Sequence, residues 1–185
     1  MGEWIQKTLG EITSYMSKGI PPKYTVEKST DTICVLNQKC NRNFSISYDD
    51  SRLHNSLLKP VALEKILVSG DVLINSTGTG TAGRIAQILD IPEPTTVDGH
   101  MIILRPTEEV DVLYYGYAIK QQQSKIESLA EGSTGQTEIN RRRLQDEIII
   151  SYPKEKALQQ KIAQFLFEID EKIKNNSNIN SNLAA

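Results

Sequence analysis

Short apolar runs separated by Gly, Pro, Asn, Asp and Ser fill the first 150 residues, and this pattern predicts short strands joined by loops. The predicted strands are Thr32–Leu36, Phe44–Tyr48, Asp71–Ser76, Gly83–Leu89, His100–Arg105 and Glu147–Ser151. Apolar residues at helical spacing between Val110 and Ala130 predict one helix that packs on the sheet. Shorter helical turns are predicted near Leu53–Leu58 and Pro60–Ile66. The combination indicates an α+β domain.

A long terminal helix is predicted after Pro153, because no Gly or Pro occurs from Lys154 to Leu183. With Lys172 at one inward site, its stripe follows the alternating steps of four and three residues that are typical of a coiled coil. The stripe consists of Leu158, Ile162, Phe165, Ile169, Asn176, Ile179 and Leu183, with Ile173 beside Lys172. Thirty helical residues would reach about 45 Å, which exceeds what a small domain needs for its own packing. A partner helix is therefore expected, with Asn176 fixing the register.

The alternative for the last part of this segment is a frayed tail. Asparagine dominates the residues beyond Lys174 and is a poor helix former.

Composition limits the function classes. The chain has 185 residues, enough for one domain and one extra element, and its formal charge of −2 excludes a polybasic coat for nucleic acid. The spacing of Cys34 and Cys40 fits neither a disulfide framework nor a C-x2-C metal pair, which predicts reduced thiols in a cytoplasmic protein. We also expect no signal peptide and no membrane span, because the longest apolar runs are three residues long.

Few residues in the chain are suited to catalysis. The only histidines are His54 and His100, and no Cys/His/Asp cluster has metal-ligand spacing. We therefore predict neither a catalytic residue nor a metal site. His100 is interpreted as a structural residue at the start of a strand, with a functional role as the alternative.

The segment Gly78–Gly83 matches the dinucleotide fingerprint G-x-G-x-x-G. That fingerprint needs a helix that begins inside the loop and an acidic residue about 20 positions later. Here the next segment, Arg84–Asp90, alternates and stops before Pro92, as a strand would. The glycines are therefore predicted to form a hairpin loop whose polar residues can bond phosphates or base edges. These residues are Ser76, Thr77, Thr79 and Thr81.

A second polar loop, Glu131–Asn140, leads into the only dense cationic cluster, Arg141–Arg143. A local phosphate contact is one interpretation of this cluster. The alternative is a solvated turn whose arginines pair with Asp146 and Glu147.

Several short motifs follow one another in a definite order. They are Trp4 with Lys7–Ile12, Gly19–Pro21, Gly70–Ile74 with Gly80–Arg84, Gly132–Gln136, Ile139, Leu144, and Ile148–Ile150. This order resembles the target-recognition domain of type I restriction-modification specificity (S) subunits. Pro153, followed by Leu158–Ala163, Phe165–Leu166 and Ile169–Ile173, is similar to the spacer helix of that family.

The resemblance implies a non-catalytic protein with a DNA-binding target-recognition domain at residues 1–152 and a spacer or dimerisation helix at residues 153–185. The resemblance implies that the chain binds double-stranded DNA. From the polar loops and cationic residues of the sequence itself, we expect the contacts to come from Lys23, Arg42, Ser76, Thr77, Thr79, Arg84, Thr134, Gln136, Arg141, Arg142 and Arg143. The implied partners are a methyltransferase subunit, which uses S-adenosylmethionine to methylate adenine, and in restriction complexes an ATP-driven endonuclease subunit. This chain would hold neither cofactor.

Family members usually contain two recognition domains and two spacer helices, whereas this sequence has one of each. We therefore expect a half-length subunit, natural or truncated, that forms a homodimer through its terminal helices and recognises a symmetric split site. Two alternatives remain open. One is a non-catalytic coiled-coil adaptor that binds only protein, and the other is a nucleotide-binding enzyme that uses the Gly78–Gly83 loop.

Overall fold

The computed structural model describes residues 2–131 and 137–183, except for the side chains of residues 181–183. It has the expected α+β architecture and a long helix at its C-terminal end. Its strands are β1 (Trp4–Thr8), β2 (Thr13–Lys18), β3 (Tyr24–Thr25), β4 (Thr32–Leu36), β5 (Asn41–Arg42), β6 (Ser45–Ile46), β7 (Arg52–Asn55), β8 (Val72–Asn75), β9 (Ile85–Gln87), β10 (Thr95–Val97), β11 (Met101–Pro106), β12 (Ala130–Glu131), β13 (Glu138–Ile139) and β14 (Ile149–Pro153). Its helices are α1 (Val112–Gln121), α2 (Gln123–Ser128), α3 (Arg141–Glu147) and α4 (Lys156–Leu183), and short 3-10 turns occur at Gln38–Cys40 and Leu63–Lys65.

The central sheet is antiparallel, with strand order β2-β11-β8-β9. Its two middle strands contain the uninterrupted apolar runs Val72–Ile74 and Met101–Leu104, because both faces of the sheet are covered there. Along β8, Val72 and Ile74 face one core and Leu73 faces the other. In β11, Ile102 and Leu104 likewise alternate with Met101 and Ile103.

The two faces of the central sheet contact different layers. Helices α1, α2 and α3 cover one face through apolar residues such as Tyr115, Ile126 and Leu144. The opposite face packs against a second sheet of order β10-β4-β7-β3, to which Leu36 and Val97 contribute. In this second sheet β10 and β4 are parallel and the other pairs are antiparallel. The domain therefore has three layers.

The first strand and the last strand meet in one ribbon, because β1 pairs antiparallel with β14. This pairing places the start of α4 beside the domain. Gln159 of α4 is fully buried there, and Ala163 belongs to the core that lies under α1. Further along, Asp170 accepts hydrogen bonds from Tyr117 (3.1 Å) and Lys120 (2.9 Å) of α1. The packed part of α4 thus continues to Asp170, and residues 172–180 are exposed.

Several predicted elements are confirmed. The strand Thr32–Leu36 has its predicted bounds, and the long helix continues to Leu183 through the asparagine-rich segment. The helix predicted between Val110 and Ala130 is interrupted at Gln122 and forms α1 and α2. No helix in the described part of the chain is long and apolar enough to cross a membrane.

Other local predictions are wrong. The helical turn predicted near Leu53–Leu58 overlaps strand β7, whose pairing with both β3 and β4 overrides its local preference. Residues Phe44–Tyr48 form only the two-residue strand β6. Strands β1 and β2 were not predicted, because their exposed and half-buried positions mix polar and apolar residues without clear alternation.

Candidate nucleic-acid interface

The glycine-rich segment connects β8 to β9, which pair antiparallel, and no helix begins between residues 76 and 84. It is therefore a hairpin loop, as predicted, and lacks the strand-to-helix turn of a dinucleotide site. The loop requires glycine at residue 83, which has a φ of +89°. A Cβ there would also lie 2.7 Å from the Cα of Glu127 in α2.

The two polar loops that the sequence singled out lie side by side. Thr77 forms a bridge with Glu138, the backbone N–H of Gly78 donates to the carbonyl oxygen of Thr137 (3.2 Å), and that of Ile139 donates to the carbonyl oxygen of Ser76 (2.8 Å). These partners are 59 to 63 residues apart in the sequence. The tertiary fold thus brings the β8–β9 loop next to the segment that leads into the arginine cluster.

The side chains of the β8–β9 loop differ in accessibility. Thr79 is exposed, and Arg84 is half-buried and donates to the carbonyl oxygen of Gly80 (3.2 Å). Ser76, in contrast, is fully buried, and its hydroxyl has no hydrogen-bond partner among the described residues. The expectation that Ser76 contacts DNA is therefore corrected, because its hydroxyl is enclosed by protein.

Thr77 is held by two side chains from other parts of the chain. The Nε2 amide of Gln38 donates to both the carbonyl oxygen (2.6 Å) and the hydroxyl of Thr77. The same hydroxyl lies 2.9 Å from Nδ1 of His100. Gln38 was not predicted as a site residue, and its sequence context offers no signal beyond a polar position after a strand.

The arginine cluster forms the first turn of α3, which Asn140 caps by accepting from the backbone N–H of Arg142 (2.9 Å). Arg143 is neutralised locally, because it pairs with both Glu131 and Glu147. Its guanidinium holds the pKa of the Glu147 carboxyl below the usual value.

The other two arginines are more available. Arg142 is strongly exposed and only loosely paired with Asp146 (3.6 Å). Arg141 is exposed and has no ion pair among the described residues. The pairing with Asp146 and Glu147 that was the alternative interpretation is thus present for Arg142 and Arg143.

Lys23 and Arg42 belong to other elements of the chain. Both are exposed. Lys23 precedes β3, and its backbone N–H donates to Nδ1 of the buried His54 (2.8 Å). Arg42 lies in the β5–β6 hairpin, whose Asn41 side chain donates to the carbonyl oxygen of Arg84 (3.0 Å). Their contacts with DNA stay predictions. The predicted contact residues Thr134 and Gln136 lie outside the described residues.

A cleft of about 790 Å³ adjoins Thr77 on the His100 side. On one wall the guanidinium of Arg52 lies 5.0 Å from the centre of the Tyr24 ring. Asp98 also lines the cleft; burial raises its pKa, although the backbone N–H of His100 donates to its carboxylate (2.9 Å). Sequence reasoning missed Tyr24 and Arg52, because they become neighbours only when β3 pairs with β7.

Nothing in the described ranges suggests a metal centre, since no group of three or more His, Cys, Asp or Glu residues could hold an ion there. Cys34 and Cys40 are free and buried, and burial raises the pKa of both thiols.

The predicted helical stripe is divided between two environments. Ile162 packs against the core of the domain, and Leu158 is half-buried beside Gly2. From Phe165 onwards, the following residues on this side of the helix are exposed: Phe165, Ile169, Ile173, Asn176 and Ile179. The side chain of Phe165 is 64% exposed. A contiguous apolar strip of this kind is typical of a surface that another chain covers.

Two solved structures with a similar fold are described as S or HsdS subunits, and a third is described for the type I R-M system. The S subunit from M. genitalium aligns with a TM-score of 0.66 and 19% identity over 94% of this chain and 41% of that chain. A structure reported for complex assembly and conformational transition of the type I R-M system aligns with a TM-score of 0.68 and 18% identity over 93% of this chain and 39% of that chain. The HsdS subunit from Thermoanaerobacter tengcongensis aligns with a TM-score of 0.59 and 16% identity over 93% of this chain and 38% of that chain. At these identities the likeness defines the fold, and the chain spans about two fifths of the length of these structures.

The family follows from the sequence match. The model for the type I restriction modification DNA specificity domain matches residues 1–185. The chain therefore belongs to this family, as its motifs indicated. A search of curated proteins gave no match.

Proposed function

We propose that this chain is the DNA-reading component of a type I restriction-modification complex and has no catalytic activity of its own. Its domain, residues 1–152, reads one half of a split target. Its helix, residues 153–185, docks the methyltransferase subunit and pairs with the helix of a second copy. S-adenosylmethionine and ATP then belong to the partner subunits, and a restriction subunit joins the complex where cleavage accompanies methylation.

The observation that carries this proposal is the family match over the whole chain. The structure supports it independently, because the β8–β9 loop and the segment before α3 share backbone hydrogen bonds at one edge of the domain. Polar loop tips there can reach base edges, while Arg141 and Arg142 can contact phosphates. The overall acidity of the chain fits a reader that depends on such local contacts.

The exposed strip on α4 supports the pairing of two copies. A second copy brings an identical strip, and a two-fold arrangement lets the same residues cover each other. Asn176 lies within the strip and would select a single register, because a buried asparagine bonds well only with a matching partner. Two readers related by this axis recognise inverted half-sites.

The experiment for DNA reading is methylome sequencing of cells that express this chain with its cognate methyltransferase subunit. The expected result is methylated adenine in a two-part, symmetric motif that disappears when the chain is omitted. Methylation that does not depend on the chain, or that follows no motif, would contradict the proposal. An asymmetric motif would contradict the homodimer alone.

The pairing of helices is tested by sedimentation of the purified full chain. Replacing Phe165 and Ile169 by Asp should weaken self-association at least about a hundredfold, or ~2.7 kcal/mol, because burying carboxylates in an apolar strip is costly. The matched control replaces Gln160 and Asn178 by Asp, since both residues are exposed on the helix face opposite the strip and the added charge is the same. A wild-type chain that stays monomeric at high concentration would refute the dimer.

A further inference from the structure

The side chains of Gln38, Thr77 and His100 form a directed chain of hydrogen bonds. The hydroxyl of Thr77 accepts from the Nε2 amide of Gln38, so its own hydrogen is available for Nδ1 of His100, 2.9 Å away. Because Nδ1 then accepts, the neutral imidazole carries its hydrogen on Nε2. This Nε2–H group makes no hydrogen bond within the described residues.

The backbone of His100 is held as firmly as its ring. Its N–H donates to the carboxylate of the buried Asp98 (2.9 Å), and its carbonyl oxygen accepts from the backbone N–H of Ser76 (2.8 Å). His100 is nevertheless exposed, at the turn before β11. An exposed side chain gains little stability from such a network, whereas a recognition group benefits because its orientation is fixed before the ligand binds.

The surroundings of His100 favour a base edge over a phosphate. The adjoining cleft is lined by cationic Lys39 and Arg52 and also by Asp49, Asp50 and Asp98. Carboxylates so close to the site repel an anion. The Nε2–H donor of His100 lies next to a cleft with both positive and negative side chains, and it is therefore suited to an uncharged acceptor.

We propose that His100 is a specificity-determining residue that donates from Nε2–H to an acceptor on the major-groove edge of a base. Thr77 and Gln38 are positioning residues that fix the tautomer and orientation of its ring. This inference rests on the proposed function of the chain in DNA reading. Guanine, adenine and thymine all present an acceptor in the major groove, whereas cytosine presents only an amino donor. His100 therefore discriminates against cytosine at the position it contacts.

The test is selection of binding sites from a randomised DNA library by the full chain in complex with its methyltransferase subunit. The wild-type complex should select a motif with one position from which cytosine is excluded. His100→Ala should raise the relative affinity for cytosine at that position about tenfold and leave the other positions of the motif unchanged. His100→Gln should shift the same position towards adenine, which glutamine recognises through its amide.

The positioning residues have a spectroscopic test. Long-range 15N correlation spectra should show His100 as the Nε2–H tautomer. Buried His54 serves as an internal reference, because its Nδ1 accepts from the N–H of Lys23 and its Nε2 lies 2.7 Å from the carbonyl oxygen of Lys59. Thr77→Val should mix the tautomers of His100 and admit cytosine, whereas Thr77→Ser should restore both properties.

The outcomes separate this inference from the proposed function. If the wild-type complex selects no motif, the proposed function fails. If it selects a motif that His100→Ala and His100→Gln leave intact, the inference fails alone. The inference also fails if His100→Ala lowers affinity equally for all sequences, since that is the behaviour of a phosphate contact or of a structural residue. Thermal melting of each variant identifies a loss of folding, and His100→Gln provides the second variant.

Discussion

Gln159 joins the terminal helix to the domain, and replacing it by leucine gives a sharp test of that attachment. Its side chain is fully buried, and its Oε1 accepts from the backbone N–H of Asp111 (2.7 Å). Its Nε2 donates to the carbonyl oxygens of Pro153 (2.8 Å) and Glu109 (3.4 Å). Because Asp111 caps α1, this one amide connects the start of α1, the end of β14 and the first turns of α4.

The expected loss in the free energy of unfolding follows from the polar groups that the substitution leaves without hydrogen-bond partners. Gln159→Leu preserves approximate size and helix propensity, so the loss is confined to hydrogen bonding. The N–H of Asp111 loses its acceptor at a cost of about 1–3 kcal/mol, and the carbonyl oxygen of Pro153 loses a short bond worth about 1 kcal/mol. We expect a total near 3 kcal/mol. For a domain of this size, that corresponds to a fall in Tm of about 6–12 °C.

The assay is thermal unfolding of the full chain, with Gln160→Leu as the matched control. Gln160 is the next residue, is exposed, and receives the same substitution. Its replacement should change the free energy of unfolding by no more than about 0.5 kcal/mol. If the Tm values of the two variants differ by less than about 2 °C, Gln159 does not secure the helix and the reasoning from its burial is wrong.

Three further predictions concern charge and backbone. Lys7 and Tyr152 hold the pKa of Glu109 below its ordinary value of 4.5, so its stabilising effect is complete above that pH and is lost as the pH falls through the lowered pKa. Glu109→Gln should therefore lower the Tm at pH 7, and the Tm values of variant and wild type should converge in acid; a constant difference down to pH ~3 would contradict this linkage. Arg141→Ala should flatten the slope of log affinity for DNA against log salt concentration by about one. Arg143→Ala should change this slope less, because the guanidinium of Arg143 is already paired with two carboxylates. Equal slopes for the two variants in a filter-binding titration would argue against this difference. Gly83→Ala should destabilise the chain by about 1–3 kcal/mol in denaturant unfolding, because of its φ of +89° and its contact with Glu127, and an unchanged midpoint would disprove the close approach.

Helix α4 packs on the domain along its first part only. The division between residues 152 and 153 stays a prediction; it lies near the end of β14, and Ala163 and Asp170 beyond it still contact the domain. The first four turns therefore share the core of the domain and fix the direction of the helix. The exposed strip begins within this packed segment at Phe165, so the proposed pairing of helices would transmit its geometry directly to the domain.

The sequence by itself determined the features that local patterns encode. The absence of Gly and Pro after Pro153 predicted the long helix, and the alternation after the glycine-rich loop correctly predicted a hairpin in place of a nucleotide fingerprint. The order of short motifs identified the family, which the match over residues 1–185 confirms. These results need only the spacing of neighbouring residues, which a single sequence displays.

Only the tertiary structure decided which of these local features meet. Gln38, Thr77 and His100 lie in three separate segments, and the β8–β9 loop meets Glu138 through pairings that span about sixty residues. The same long-range packing buries Ser76 and places the first three residues of the predicted helical turn Leu53–Leu58 in strand β7. The reason is that sheet order and side-chain burial depend on contacts between distant segments, whose free energies outweigh local preference and leave no periodic trace along the chain.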